Sequence, residues 1–256
     1  MRRIIMMVCR LFLKTPYFFF RIWYCGKKKP VDYEHSYRVI RHVCKKANHA
    51  GRVTIDVHGS DNIPKKPGFM FFPNHQGLYD VLSIIDSCEV PFAFVIKKEA
   101  SNIILLKQIV AATGSLAIDR GDLRQSMEVI REVTAQVKQG RNFLIFAEGT
   151  RSRKGNELNA MKGGSFKSAT KAKCPIVPVA LIDSFRPFDE KSIRPVTVHV
   201  YYLKPIPYDE YKDMNTTEIA EMVKARIEET IRQHFADNVP AAGDVAEDPL
   251  QKIEQK

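Results

Sequence analysis

Two short polar stretches of this sequence carry side chains that can move a proton or hold an anion. In the first, His75 precedes Asp80 by five residues within the run Asn74-His75-Gln76-Gly77-Leu78-Tyr79-Asp80. A carboxylate that accepts a hydrogen bond from one imidazole nitrogen fixes the tautomer and leaves the other nitrogen free to take a proton. The pair predicts a general base, although a surface histidine near a helix start would explain these two residues alone equally well.

The second stretch is Phe146-Ala147-Glu148-Gly149-Thr150-Arg151-Ser152-Arg153, in which an apolar strand runs into a polar turn. The planar, permanently charged guanidinium of Arg151 suits a phosphate group. Glu148 can either fix the loop or contact a substrate hydroxyl, and Gly149 allows backbone conformations closed to other residues. Taken alone, the stretch would favour a solvated charged loop.

Two further cations follow predicted strands in the same way. Lys98 comes after the apolar segment 92–96, and Arg120 ends the segment 114–120. Because the carboxyl ends of parallel strands meet at one edge of a sheet, these cations should converge on the histidine. The sequence therefore predicts a base beside an anionic substrate.

The elements that must position these residues alternate between strand and helix patterns. Alternation of this kind predicts an α/β domain with a largely parallel central sheet flanked by helices. Asn215 with Glu218 is typical of a helix start, and Ser101 is a candidate cap for a helix through Val110. The strands are predicted at 53–57, 69–72, 92–96, 116–118, 143–146, 176–182 and 196–200, and the helices at 33–50, 78–88, 101–110, 122–139, 164–172 and 215–231.

The first 60 residues carry most of the basic charge. They contain thirteen Lys or Arg against three acidic residues, a net charge of +10 out of +11 for the whole chain. Residues 4–24 are strongly apolar, and the basic residues at 3, 10, 14 and 21 fall on one stripe of a continuous helix. This predicts an N-terminal helical appendage that anchors the protein in the headgroup region of a membrane, with Pro16 kinking or splitting the helix. A membrane-spanning signal anchor is the alternative.

We predict three parts of the chain: amphipathic helices for membrane association at 1–50, a catalytic domain at 51–237, and a flexible tail at 238–256. The five cysteines are scattered and lack C-x-x-C spacing, which argues against a disulfide framework or a zinc site and favours reduced thiols. Nucleic-acid binding would require basic residues interleaved with aromatics on a folded face. Here the excess charge accompanies a long apolar segment, which favours a membrane partner and no nucleic acid.

Four blocks in order resemble the 1-acylglycerol-3-phosphate O-acyltransferase family. The N-H-x-x-x-x-D block corresponds to Asn74–Asp80 and the G-x-x-x-I-x-R block to Gly114–Arg120. The F-P-E-G-T-R-S block corresponds to Phe146–Ser152 and the V-P-V block to Val177–Val179. Two positions depart from the pattern: Gly77 stands where the family often has Ser, and Ala147 replaces the usual Pro, which should loosen the turn before Glu148.

The resemblance implies transfer of a fatty acyl group from acyl-CoA or acyl-carrier protein to the 2-hydroxyl of lysophosphatidic acid, giving phosphatidic acid. His75 would remove the hydroxyl proton and Asp80 would orient it, with no metal, cofactor or acyl-enzyme. The implied location is the cytoplasmic face of the cell membrane, as a monotopic or peripheral protein. The implied substrate-binding residues are Asn74, Lys98, Arg120, Glu148, Gly149, Thr150 and Arg151.

Two alternatives to this function remain open at this point. Within the same chemistry, the acceptor could be glycerol-3-phosphate or another lysolipid. A non-catalytic membrane lipid-binding protein would be a different class, but such a protein has no use for an intact His75 and Asp80.

Overall fold

A seven-stranded sheet forms the centre of the computed structural model, which describes residues 2–238. Its strand order is β1-β7-β6-β2-β5-β3-β4. The strands are β1 (Val53–His58), β2 (Met70–Pro73), β3 (Ala93–Lys97), β4 (Leu116–Ile118), β5 (Phe143–Leu144), β6 (Ile176–Ile182) and β7 (Val196–Tyr202).

Five neighbouring strands, from β6 across to β4, run parallel to one another. Strand β7 pairs antiparallel with β6, and β1 pairs parallel with β7. The carboxyl ends of β6, β2, β5, β3 and β4 therefore point to one edge of the sheet. The predicted α/β class and largely parallel sheet are confirmed.

Helices cover both faces of the sheet. They are α1 (Arg2–Arg10), α2 (Thr15–Lys27), α3 (Tyr33–Ala50), α4 (Asp80–Ser87), α5 (Lys98–Ser101), α6 (Ile104–Thr113), α7 (Leu123–Lys138), α8 (Lys167–Ala172), α9 (Arg186–Asp189), α10 (Tyr208–Tyr211) and α11 (Thr216–Asp237). The predicted helix from Ser101 to Val110 is wrong at its start, because Ser101 ends α5 and Ile103 precedes α6.

Strand β2 lies at the centre of the core, and its side chains face both helical layers. Phe69, which directly precedes the strand, and Phe71 belong to a cluster with residues of α2, α3, α4 and α6. Met70 and Phe72 belong to a cluster with residues of α7, α8 and α11. All four side chains are fully buried. Each such side chain contributes about 1.5–3 kcal/mol of hydrophobic stabilisation, so the end of β2 is a firm base for the residues that follow it.

The N-terminal apolar segment forms two helices, as the position of Pro16 predicted. Pro16 lies in the first turn of α2, where backbone N–H groups have no intrahelical acceptor, so the missing N–H of proline costs no hydrogen bond. Among residues 2–238, no helix is both long enough and apolar enough to cross a membrane.

The predicted cationic stripe is wrong at Arg3, which is buried instead of facing lipid headgroups. Its guanidinium donates hydrogen bonds to four backbone carbonyl oxygens, those of Gly51, Pro187, Ser192 and Arg194. Burial lowers the pKa of Arg3. The four acceptors replace the hydration that the charge loses, so Arg3 fixes α1 to the body of the protein.

Helices α2 and α3 share a hydrophobic cluster with the sheet. Ile22 and Tyr37 are buried in the cluster that contains Phe71 and Phe94. The predicted boundary near residue 50 stays a prediction. The predicted flexible tail, 238–256, lies outside the described residues except for Asn238.

Candidate active site

The turn after β2 brings His75 and Asp80 into direct contact. His75 follows the strand by two residues, and Asp80 is the first residue of α4 instead of lying one turn inside the helix as predicted. The distance from Nδ1 of His75 to Oδ2 of Asp80 is 2.7 Å. The side chain of Asp80 is fully buried, whereas that of His75 is 20% exposed. The predicted pair therefore has the geometry of a base and its orienting carboxylate.

Three other groups donate hydrogen bonds to Asp80. The backbone N–H of Gln76 lies 2.7 Å from Oδ2, and the N–H of Gly77 lies 3.0 Å from the same oxygen. The hydroxyl of Ser184, which follows β6, donates to Oδ1 at 2.7 Å. Every partner of the carboxylate is a donor, and together they hold both of its oxygens in place. Ser184 was missed by the sequence reasoning, since no local pattern relates it to Asp80.

The imidazole of His75 stacks on the ring of Phe146, with the ring centroids 4.0 Å apart and the planes inclined by 23°. Its Nδ1 is held by Asp80, and within residues 2–238 its Nε2 has no hydrogen-bond partner. His75 lines a large cavity. The ring is thus fixed on one side and free to accept a proton on the other.

Glu148 ties the second polar stretch to the first. Its Oε1 accepts the backbone N–H of His75 at 2.6 Å, and its Oε2 accepts the N–H of Asn159 at 2.8 Å. Burial raises the pKa of Glu148, and these two hydrogen bonds oppose that effect. Glu148 is 2% exposed and does not line the cavity. Of its two predicted roles, the structure shows loop fixation.

The turn around Ala147 is tied down and not loose. The carbonyl oxygen of Ala147 accepts the N–H of Lys162 at 2.9 Å, and the N–H of Gly149 donates to Phe146 at 3.1 Å. Gly149 has a φ of +75°, a conformation that favours glycine. Backbone hydrogen bonds hold this turn, and the expectation that replacing Pro by Ala would loosen it stays a prediction.

Asn74 lies between strands and does not line the cavity. Its amide donates to the carbonyl of Leu181 at 3.0 Å and accepts the N–H of the same residue at 2.7 Å. It is 1% exposed. Although it was predicted to bind substrate, the geometry gives it a structural contact that joins the end of β2 to β6.

Two of the three predicted phosphate-binding cations line the cavity with His75, namely Arg120 and Arg151. Burial lowers the pKa of Arg120, so an anion beside it would stabilise its charge. Lys98 does not line the cavity, and its ammonium lies 3.2 Å from Asp119. Its neighbour Lys97 does line the cavity. Gly149 and Thr150, also predicted, line it as well.

The cavity has a volume of about 1220 Å³, larger than the roughly 300–1,000 Å³ typical of ligand pockets. One part is apolar and lies among α3, α4, α6 and β3, where it is lined by Cys44, Val81, Leu82, Ile85, Phe94 and Ile109. Basic residues also line the cavity: Lys97, Arg120, Arg131, Arg151, Arg153, Lys162, Lys167 and Lys171. The cavity suits a molecule with both a hydrocarbon chain and an anionic group.

A family model described as Acyltransferase matches residues 54–182, which is half of the chain. The chain belongs to the acyltransferase family. The match covers His75, Asp80 and the polar stretch around Arg151, whereas Ser184 lies two residues beyond its end.

Curated relatives of this acyltransferase include a protein of Borreliella burgdorferi named 1-acyl-sn-glycerol-3-phosphate acyltransferase. The two are 30% identical over 172 residues, which is 65% of this chain and 68% of the relative. A protein of the same name from Escherichia coli K12 is 30% identical over 165 residues, which is 64% of this chain and 67% of the relative.

The fold of this acyltransferase is that of a solved structure from Thermotoga maritima, the 1-acyl-sn-glycerophosphate (LPA) acyltransferase PlsC. The TM-score is 0.71, with 22% sequence identity, and the alignment covers 90% of this chain and 92% of that chain. The likeness extends over nearly the whole length of both chains.

Proposed function

We propose that this acyltransferase transfers a fatty acyl group from a thioester donor to the 2-hydroxyl of 1-acylglycerol-3-phosphate, which gives phosphatidic acid in phospholipid biosynthesis. The observation that carries the proposal is Nε2 of His75, which has no hydrogen-bond partner among residues 2–238. Asp80 holds this imidazole at the wall of a cavity that Arg120 and Arg151 also line. The names of the curated relatives support this acceptor.

In the proposed mechanism, Nε2 of His75 takes the proton of the acceptor hydroxyl as its oxygen attacks the thioester carbonyl. The Nδ1–H group keeps its hydrogen bond to Asp80, whose negative charge stabilises the imidazolium. When the tetrahedral intermediate collapses, the C–S bond breaks and the imidazolium returns the proton to the departing thiolate. General base catalysis typically contributes about 10²–10⁴-fold, and orientation of the reactants can contribute more.

Arg151 and Arg120 would bind the phosphate of the acceptor. Arg151 is held near Asp189, with its Nη1 3.9 Å from Oδ1. The pair is long and partly exposed, so an incoming phosphate can replace the carboxylate as the partner of the guanidinium. Lys97 takes the place of Lys98 as the third candidate cation.

The donor would be acyl-CoA or acyl-carrier protein, whose acyl chain suits the apolar part of the cavity. Arg131 on α7 and Lys167 and Lys171 on α8 also line the cavity. These cations suit the phosphates of CoA and also the acidic surface or phosphopantetheine of a carrier protein, so the two donors must be compared directly.

A parallel acyl-transfer assay tests the proposed function. The purified enzyme is given one labelled acyl-CoA or acyl-carrier protein with 1-acylglycerol-3-phosphate, glycerol-3-phosphate or lysophosphatidylcholine as the acceptor. We expect phosphatidic acid to form fastest and His75→Ala to lower its rate by about 10²–10⁴-fold. Preference for another acceptor would overturn the substrate assignment, and lipid binding without turnover would indicate a non-catalytic protein.

We also propose that the enzyme lies on the cytoplasmic face of the cell membrane through an apolar patch of α1, α2 and the residues between them. The patch consists of Ile5, Val8, Phe12, Leu13, Tyr17, Phe20, Trp23 and Tyr24, all exposed. Exposed Arg10, Lys14 and Arg21 accompany it. Each such cation contributes about 1 kcal/mol near an anionic leaflet, and buried apolar area adds to this.

Helix α2, which carries part of the apolar patch, packs on α6. A Cβ atom at Gly26 would come within 3.0 Å of Cβ of Ala111, so glycine allows the close approach. Leu106 and Ile109 of α6 line the cavity. A lipid acceptor could therefore pass from the membrane surface along α6 into the site.

Trp23, the single tryptophan of the chain, reports on membrane contact. We expect its fluorescence to shift to shorter wavelength with vesicles rich in phosphatidylglycerol, and the protein to co-sediment with them. Phe12→Ser with Leu13→Ser should weaken both effects, whereas Phe235→Ser, which removes an exposed aromatic of α11 outside the apolar patch, should not. Undiminished co-sedimentation of the double variant would contradict the anchor.

A further inference from the structure

A cluster of nitrogen and oxygen ligands lies on β1 and β7, apart from the residues that line the cavity. Asp56 is paired with His199 across the two strands, and His58 is paired with Tyr201. These side chains share the face of the sheet on which α11 lies, because His234 of α11 contacts both His199 and Tyr201. The alternate residues Val198 and Val200 are buried in clusters on the other face.

One carboxylate oxygen is the centre of the cluster. Oδ2 of Asp56 lies 2.9 Å from Nε2 of His58 and 2.9 Å from Nδ1 of His199. These three ligand atoms all lie within 4.8 Å of one another. The side chain of Asp56 is 45% exposed, that of His58 40% and that of His199 23%, so an ion can reach them from solvent.

The surroundings hold the two imidazoles in place. The ring of His58 stacks on Tyr201 with centroids 4.1 Å apart and planes inclined by 6°. His199 lies against His234, with centroids 4.4 Å apart, and Nδ1 of His234 is 2.8 Å from the hydroxyl of Tyr201. Fixed ring orientation by neighbouring groups is typical of histidines that bind a metal.

We propose that Asp56, His58 and His199 bind one divalent transition-metal ion of the zinc class through Oδ2, Nε2 and Nδ1. Each neutral imidazole would move its proton to its other nitrogen, and water would complete a tetrahedral site. Zinc bonds of about 2.0–2.2 Å place tetrahedral ligands about 3.3 Å apart, so the 2.9 Å contacts need to open by only about 0.4 Å. Imidazole ligands favour zinc, cobalt, nickel and copper over magnesium and calcium.

The ion would act as a clamp between β1 and β7. Strand β1 is the outermost strand of the described sheet on this side, and β7 is its one strand neighbour there. His199 is also the partner of Ile182 at the end of β6, two residues before Ser184. The expected absence of a metal rested on cysteine spacing, which carries no information about His199, a residue 143 positions from Asp56 along the chain.

Isothermal titration of the untagged, EDTA-treated full-length protein tests the proposal. We expect Zn²⁺ to bind with a stoichiometry of one per chain and Mg²⁺ not to bind. A hundredfold excess of Zn²⁺ over Kd should raise the melting temperature by about 5–10 °C. His58→Gln and His199→Gln keep a polar side chain and should weaken Zn²⁺ binding at least about tenfold.

His35→Ala is the matched control, because it removes an exposed histidine of α3 and should leave Zn²⁺ binding unchanged. Circular dichroism checks that each variant is folded. No Zn²⁺ binding by the native protein, or binding that is unchanged in both glutamine variants, would overturn the site.

Discussion

Replacing Asp80 by Asn removes one negative charge while preserving most of the hydrogen bonds at that position. The amide oxygen can stay in the place of Oδ2, where it accepts from His75 and from the N–H of Gln76, both at 2.7 Å. The N–H of Gly77 is shared between both oxygens, at 3.0 and 3.1 Å, so it also keeps an acceptor. The amide nitrogen then faces Ser184, whose hydroxyl can rotate to accept.

The fold should therefore tolerate Asp80→Asn. The expected loss is about 0.5–1.5 kcal/mol, the net contribution of one ordinary hydrogen bond. Ser184→Ala is a useful comparison, since it removes the same hydroxyl contact and leaves the charge of Asp80 in place.

The effect on catalysis should be larger, because the charge opposite the imidazolium is lost. At 4 Å and an effective dielectric constant of 20, two unit charges attract by about 4 kcal/mol. The dipole of the Asn amide replaces part of this attraction. A hydrogen bond to a charged group contributes about 1.5–3 kcal/mol. At 1.36 kcal/mol per tenfold change, kcat should fall by about 10- to 150-fold.

Single-turnover acyl transfer at saturating acceptor measures this effect on the chemical step. If the two residues act as one unit, His75→Ala with Asp80→Asn should be no slower than His75→Ala alone. A folded Asp80→Asn enzyme within about twofold of the native rate would refute the reasoning. So would losses that multiply in the double variant.

Two further predictions concern the phosphate site and the thiols. Arg151→Ala should raise the acceptor KM, so that kcat/KM falls about 10- to 150-fold. Lys98→Ala, which removes a cation paired with Asp119, should have little effect. Equal losses of kcat/KM in both variants would contradict the assignment. Burial raises the pKa of Cys44 and Cys174 to about 12 and that of Cys88 to about 11. At pH 8 a maleimide should therefore modify the exposed Cys9 well before these three thiols. Comparably fast modification of all four would show that the core opens readily.

Local patterns were sufficient to predict most of the secondary structure. The strand predicted at 116–118 has those bounds in the structure, and Asn215 and Glu218 form the capping box that their spacing indicates. Hydrophobic periodicity and caps depend on residues a few positions apart, which a sequence displays directly.

The parts that were missed depend on contacts between distant residues. Helical spacing places Arg3 on the same stripe as Arg10, but the carbonyl partners that bury it belong to residues 51, 187, 192 and 194, far away along the chain. Ser184 donates its hydrogen bond to Asp80 from 104 residues away along the chain. Lys97 lines the cavity in place of Lys98, because neighbouring residues at the end of a strand point to opposite faces of the sheet. None of these follows from spacing along the chain.

Gly77 shows that a motif residue of this enzyme cannot be exchanged alone. A Cβ atom there would lie 2.7 Å from Oδ2 of Asp189 and 2.8 Å from Cα of Phe185, so the serine common in related sequences would collide with α9. The segment that leads into α9 occupies the space that a side chain at position 77 would need. A chimera that imports the whole N-H-x-x-x-x-D block from a relative must import the matching segment around residues 185–189 as well.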